Sequence, residues 1–346
     1  MHAAPRRRRR AGAPTVTMMD VAAVAGVSAT TVSHVLNGSR RIDPDTERAV
    51  IDAIQSTGYV NDGVARSLRT GKTRTIGLAI SAISNPYFGD VVHAIEKRVT
   101  AHGHSLLIAD THDEPRMESR AVTDLLAHRP DGILIAPSAS PEDAVSLLFR
   151  RRIATVIIDR MVPDTQKWGI DAVGVENVEP TAALVEHLAD LGHTRMGMIA
   201  GREGLQTTTE RVEGFHEGHR RRGLVAAAGA VTHATGDASA AVDRLLGLNR
   251  PPSVIVTGNN QVTIDTMRHL RERHLSVPAD IALACFDDFP WADSFHPRLT
   301  AIRQPLEELG SIAVRMLFER LADPELAARN VRLRPTLIIR DSSALP

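Results

Sequence analysis

The chain is expected to fold as a small all-α head carrying a helix-turn-helix and a hinge helix, followed by a larger α/β body of two lobes built on parallel sheets. Three observations predict this. Residues 17–60 hold three short helical stretches separated by Gly-containing turns. From Thr75 onward, strand-like apolar runs alternate with helical stretches, the pattern of parallel sheets covered on both faces. Residues 1–74 contain 12 Lys and Arg against 6 Asp and Glu, although the whole chain has zero net charge. A basic head on an acidic body is the footprint of a polyanion-binding module joined to something else.

At 346 residues the chain is too long for one small domain, and its 43% hydrophobic content supports a sizeable core. The single cysteine, Cys285, excludes an internal disulfide framework and any multi-cysteine metal site. No apolar run is long enough to be a transmembrane helix, and the basic start lacks the apolar segment of a signal peptide. A cytoplasmic protein with no membrane association is expected.

Residues 1–16 are rich in Arg, Ala and Pro without periodicity and read as a disordered basic tail around Arg6–Arg10. Residues 17–60 form the head. Thr17 with Asp20 three places on is a capping-box pattern, and the first helix runs to Gly26. Ser28 caps a second helix that Asn37-Gly38 ends. Asp43-Pro44 opens a third, with Val50, Ile51 and Ile54 at helical spacing and Gly58 closing it. Two helices joined by a tight Gly-containing turn match a helix-turn-helix. Residues 61–74 hold a short hinge helix and a linker; alone, such a helix is too short to be stable in water.

The body covers residues 75–346. Around 260 residues of βα units exceed one comfortable sheet, so two lobes are expected. The first is assigned to about 75–172 and 304–331, the second to about 173–303 and 332–346, with Ala172–Val175 opening the second series of strands. In such sheets ligands sit at the carboxyl ends of the strands, which here means the cleft.

These residues resemble the lactose/galactose-repressor (LacI/GalR) family of transcription regulators, and its purine-repressor branch in the head. The resemblance covers residues 16–342. It rests on VTMMDVAAVAGVSATTVSHVLNGSRRIDPDTERAVIDAIQSTGYV, then VARSLRTGKTRTIGLAI and SNPYFGDVVHAIE; LGHTRMGMIAG, ERVEGF, CFDDF and HPRLTAIRQP follow. It implies a homodimer, or a dimer of dimers, bound to a near-palindromic double-stranded DNA operator. It also implies a periplasmic-binding-protein-like body that takes a small effector between its lobes.

On the second helix, Ala29, Thr30, Thr31, Ser33 and His34 are expected to face base edges in the major groove. Thr17, Ser28, Asn37 and Tyr59 are placed for phosphate contacts that set register. Leu68 matches the family's minor-groove leucine, a wedge that kinks the duplex, with Arg66 and Arg69 flanking it. The family often has Pro-Asn before the hinge, where this chain has Asn61-Asp62-Gly63. Gly63 lowers helix propensity by roughly 1 kcal/mol, so hinge folding is expected to depend even more on DNA.

For the effector, Tyr87 and Phe88 follow the first body strand and match a ligand-lining position. Arg211 in ERVEGF matches the ligand-contacting arginine, whose planar fork suits a hydroxyl pair or a carboxylate. Asp287 and Asn259 follow strands; Thr207, Asp159 and Arg160 are further candidates. This set suits a polyhydroxylated ligand and also a purine. The family's Asn-Asp pair is Asn259-Asn260 here, and Leu205-Gln206 stands where the purine branch has arginine, so a sugar or sugar derivative is favoured. No P-loop, Gly-x-Ser-x-Gly, HExxH or post-strand GxGxxG occurs, so neither an enzyme nor a cofactor or metal protein is expected. The alternative reading is a sugar-binding receptor or sugar-processing protein with an appended head.

Overall fold

The computed structural model describes residues 16–37, 40–59, 71–81, 83, 85–162, 168–234 and 236–346. The basic tail up to Thr15 and the hinge residues Arg66, Leu68 and Arg69 lie outside the described residues. The chain divides into two compact units, Met1–Thr73 and Arg74–Pro346.

The head unit contains α1 (Met18–Ala25), α2 (Ala29–Asn37) and α3 (Pro44–Thr57). Local chemistry sets each end. The Thr17 hydroxyl accepts from the Asp20 amide at 3.4 Å, and the Asp20 carboxylate accepts from the Thr17 amide at 2.7 Å, completing a capping box. Gly26 ends α1 at φ 65°, a left-handed conformation that glycine adopts without a side-chain penalty. Asp43 caps α3 by accepting from the amides of Asp45 and Thr46, with Pro44 at the first helical position. Val21, Ala22, Val32, Val50, Ala53 and Tyr59 form the head's core.

The first half of the body runs β1 (Thr75–Ile80), α4 (Pro86–Ala101), β2 (Ser105–Asp110), α5 (Pro115–Ala127), β3 (Gly132–Ile135), α6 (Glu142–Arg150), β4 (Ala154–Asp159) and β5 (Asp171–Val175). Next come α7 (Val178–Asp190), β6 (Met196–Ala200), α8 (Gln206–Arg221), β7 (Val231–His233), α9 (Ser239–Leu246), β8 (Val254–Thr257) and α10 (Asn260–Glu272). The chain closes with β9 (Ala282–Phe286), β10 (Thr300–Arg303), α11 (Leu306–Ala322), β11 (Asn330–Leu333) and β12 (Thr336–Ile338).

Two six-stranded sheets result, ordered β11-β5-β4-β3-β1-β2 and β12-β10-β9-β8-β6-β7. All pairings are parallel except that of β12 with β10. The central strands are buried along their whole length, as sheets covered on both faces require. The chain passes between the lobes three times, after β5, after β10 and after β11. Close packing rests on small residues: a Cβ on Gly218 of α8 would meet Val185 Cβ of α7 at 2.6 Å, so glycine there lets the two helices touch.

One boundary differs from expectation. Asp171–Val175 does not open the second lobe; it pairs with β4 in the first sheet, in the register Val156↔Asp171. An apolar run cannot reveal which sheet it joins. The deciding group is Asp171, fully buried, which accepts from Arg320 Nε of α11 at 3.0 Å and from the Arg329 amide at 2.8 Å. That anchor brings β11 alongside β5, so the first lobe extends through Leu333.

Candidate functional site: the reading helix and the inter-lobe cleft

In the head, Gly26 turns the chain and Ser28 starts α2. The Ser28 hydroxyl accepts from the Thr31 amide at 3.1 Å and lies 2.9 Å from Thr31 Oγ1, so both hydroxyls are engaged in starting the helix. Val32 is buried against α1 and α3. The same turn leaves Thr17, Ser28 and Thr30 exposed and Ala29, Thr31, Ser33 and His34 half-buried. Arg40 and Arg41 are exposed just beyond. Tyr59 is only 9% exposed and packs in the head's core, so it first holds the fold and has little surface for a phosphate. Nothing is described of the Asn37 side chain.

In the body, a cavity of about 610 Å³ lies between the lobes. From the first lobe, Tyr87 and Phe88 come from the first turn of α4, Asp159 from the end of β4, and Arg160 follows it. From the second lobe come Thr207 and Arg211 of α8, Asn259 before α10, and Asp287 after β9. All eight side chains expected at an effector site line this one cavity.

The polar contacts form two sets. Tyr87 Oη donates to Asp159 Oδ1 at 2.5 Å and lies 3.4 Å from Gln304 Oε1; Gln304 Nε2 in turn donates to Asp287 Oδ1 at 2.5 Å. Gln304 follows β10, so this row reaches from wall to wall. Arg211 donates from Nε to Asn177 Oδ1 at 2.9 Å and from Nη1 to the Gly258 carbonyl at 2.6 Å, while its guanidinium lies 3.6 Å from the Phe286 ring centroid. Arg160 donates to Asp113 and, at 2.8 Å, to the Pro137 carbonyl. Asn259 accepts the Val262 amide at 3.0 Å, capping α10.

Burial sets the electrostatics. It pushes the Asp287 carboxyl up, against the pull of Arg211 and Gln304. The Tyr87 phenol is pushed well up by burial and by the carboxylates of Asp159 and Asp287. Burial works against the charge on Arg160, but Asp113 and Asp159 outweigh it and its pKa rises. Fixed carboxylates, guanidiniums and an aromatic face in one polar cleft are suited to a ligand rich in hydroxyls. Among the described residues no group of three or more His, Cys, Asp and Glu side chains is placed to hold a metal ion.

The cavity also has walls that the sequence reading did not single out. Asp113, which pairs with Arg160, follows β2 and was signalled only by its place after a strand's carboxyl end. Gln304 lies inside the motif HPRLTAIRQP, and only the fold reveals that it bonds to Asp287. Arg202 sits on the β6–α8 connection, and Thr208 follows Thr207 in the first turn of α8.

Comparison with known proteins follows this division. Residues 17–62 match the family described as bacterial regulatory proteins, lacI family, and residues 185–343 match the periplasmic binding protein-like domain. The chain is 31% identical to the HTH-type transcriptional repressor PurR of Aliivibrio fischeri over 332 residues, covering 94% of this chain and 98% of that one. It is 31% identical to the ribose operon repressor of Escherichia coli, covering 94% and 99%. Among solved structures it is similar to the lac repressor dimer bound to operator and the anti-inducer ONPF, with a TM-score of 0.81, 26% identity, and 95% and 99% coverage.

Proposed function

Since the chain belongs to the LacI family of bacterial regulatory proteins, we propose that it is a cytoplasmic transcriptional repressor that binds a palindromic operator as a homodimer and is controlled by a sugar or sugar derivative in the cleft. Thr30, Thr31, Ser33 and His34 read base edges, with Ala29 against a thymine methyl. Thr17, Ser28 and Asn37 set register on phosphates. Leu68, flanked by Arg66 and Arg69, enters the minor groove, and its unstacking cost is offset by added contact surface. Residues 17–60 act as the reading head, 61–74 as the hinge, and the body as sensor and dimerisation unit.

The observation that carries this reading is the single cavity lined from both lobes by Tyr87, Phe88, Asp159 and Arg160 on one side and Thr207, Arg211, Asn259 and Asp287 on the other. A ligand touching both sets favours one lobe angle, and it shifts DNA binding only through unequal affinity for the two angles. The relatives named above are the transcriptional repressor PurR and the ribose operon repressor. Of a purine and a sugar, the sugar is favoured by Leu205-Gln206, which stands where the purine branch of the family has arginine. The test is a titration of the dimer onto a palindrome and onto its half-site at several salt concentrations. Two heads neutralising several phosphates each lose affinity by roughly 10³–10⁵ between about 50 and 200 mM salt. Equal affinity for half-site and palindrome would contradict the dimeric reading.

A further inference from the structure

We propose that the effector is an anionic sugar derivative, a sugar bearing a phosphate or carboxylate, whose acidic group is held on the second-lobe wall by Arg202, Thr207 and Thr208. The inference rests on the reading of the cleft as the effector site and names the ligand class.

The walls of the cavity carry opposite charge. On the first-lobe wall two carboxylates, Asp113 and Asp159, face one guanidinium, Arg160. On the second-lobe wall two guanidiniums, Arg202 and Arg211, accompany one carboxylate, Asp287. Two of the three arginines are committed. Arg160 is held by Asp113 and the Pro137 carbonyl, and Arg211 by Asn177 and the Gly258 carbonyl. Arg202 is half-buried at the cavity wall and has neither a hydrogen bond nor an ion pair with any described residue.

Arg202 does not stand alone. It lies four residues before α8, a helix of 16 residues whose N-cap, Leu205, makes no side-chain capping bond. The N-cap side chain therefore leaves the positive end of that helix uncapped. Thr207 and Thr208 in the same turn line the cavity while only 5% and 6% exposed, and their hydroxyls make no hydrogen bond with a described residue. Two hydroxyls on the cavity wall and a guanidinium, none of them with a partner among the described residues, together with a helix start that its N-cap side chain does not cap, can all donate to one ligand group. Their complement is an anionic group with several acceptor oxygens. The facing wall supplies the carboxylates of Asp159 and Asp113 for the hydroxyls of a neutral sugar ring, with the Phe88 ring beside them.

The experiment uses the full chain and calorimetry. The probes are matched pairs: ribose with ribose 5-phosphate, glucose with glucose 6-phosphate, and glucose with gluconate. The phosphate and carboxylate arms separate the two kinds of anion. In at least one pair the acid is expected to bind about tenfold or more tightly than its neutral parent, the scale of a charge-assisted contact. Arg202→Gln should bring that ratio near unity, and Arg202→Lys should restore part of it. Circular dichroism of both variants establishes that they fold. Neutral sugars binding as tightly as their acids, or a preference that survives Arg202→Gln, would overturn the anionic assignment and leave the sugar reading standing. No binding by any member of the panel would overturn both.

Discussion

Asp159 and Asp287 hold matching stations on opposite walls of the cleft. Asp159 is the last residue of β4 in one sheet, and Asp287 immediately follows β9 in the other. Both backbones are left-handed, at φ 68° and 74°, a conformation aspartate tolerates better than bulkier residues. Each carboxylate is buried and receives one close hydrogen bond, from Tyr87 and from Gln304. The two sheets thus present a carboxylate at equivalent strand ends, and a ligand that engages both fixes the angle between the lobes.

Asp287 is held in this place against its own preference. Burial raises its pKa above the ordinary 3.8. An acid raised in this way binds its proton more tightly in the folded chain. Stability is therefore fullest below the ordinary value and is lost as pH rises through the raised one. Asp287→Asn, which removes the buried charge, should raise the midpoint of thermal unfolding at neutral pH and weaken effector binding. The gain should shrink as the pH falls toward the ordinary carboxylate value. Calorimetry across pH checks this, and a destabilised variant at neutral pH would contradict it.

Histidines act in the opposite direction. Burial lowers the pKa of His193, His187 and His219 below the ordinary 6.5. His193 is fully buried, with Nδ1 2.8 Å from Ser253 Oγ and Nε2 3.1 Å from the Ser343 carbonyl. Such groups stabilise the fold above the ordinary value, and that contribution is lost as pH falls through their lowered values. The body should lose stability below about 6.5 with uptake of protons on unfolding. His193→Gln should flatten that slope, and a slope left unchanged by the substitution would remove His193 from the account.

In the head, Thr17→Ala removes the hydroxyl that accepts from the Asp20 amide and donates to the Asp20 carboxylate, leaving only the half of the capping box made by the Thr17 amide. The expected cost is about 1 kcal/mol, large for a core of six buried side chains. It is measurable as a lower unfolding midpoint of the head, followed by hydrogen exchange of α1. Protection in α1 equal to that of the wild type would contradict the role given to the cap.

Leu68→Ala should weaken specific operator binding by a few kcal/mol and reduce DNA bending while leaving the fold intact, because the lost wedge takes its added contacts with it. Circular permutation gel shifts report the bend. An unchanged bend angle and affinity would rule out the hinge role.

Much of this organisation was legible in the sequence because its signals are local. The capping box at Thr17, the glycines at 26 and 58 and the apolar strand runs are each decided within a few residues, and each appears in the structure. Of the eight cleft residues, Asp159, Arg160, Asn259 and Asp287 sit at or just after strand ends and Tyr87, Phe88 and Thr207 in first helical turns, whereas Arg211, in the second turn of α8, was indicated by the family resemblance alone. Sheet membership is not local. The strand Asp171–Val175 reads like any other apolar run, and only the long-range bonds of Asp171 to Arg320 and Arg329 assign it to the first sheet. Partnerships such as Arg160 with Asp113 and Gln304 with Asp287 join residues 47 and 17 positions apart. No sequence spacing indicates which pairs meet, nor that Arg202 has no partner among the described residues.

The central claim is that a ligand in the cleft governs affinity for a palindromic operator. Fluorescence anisotropy of the wild-type dimer on a palindrome from the DNA flanking its own gene tests it most directly, with and without the sugar derivative that calorimetry identifies. The account predicts that the ligand changes operator affinity by roughly 5–150-fold, the usual range of allosteric coupling, and that the change nearly vanishes in Asp287→Asn. An operator affinity that the bound ligand leaves unchanged, or a change as large in Asp287→Asn as in the wild type, would contradict it.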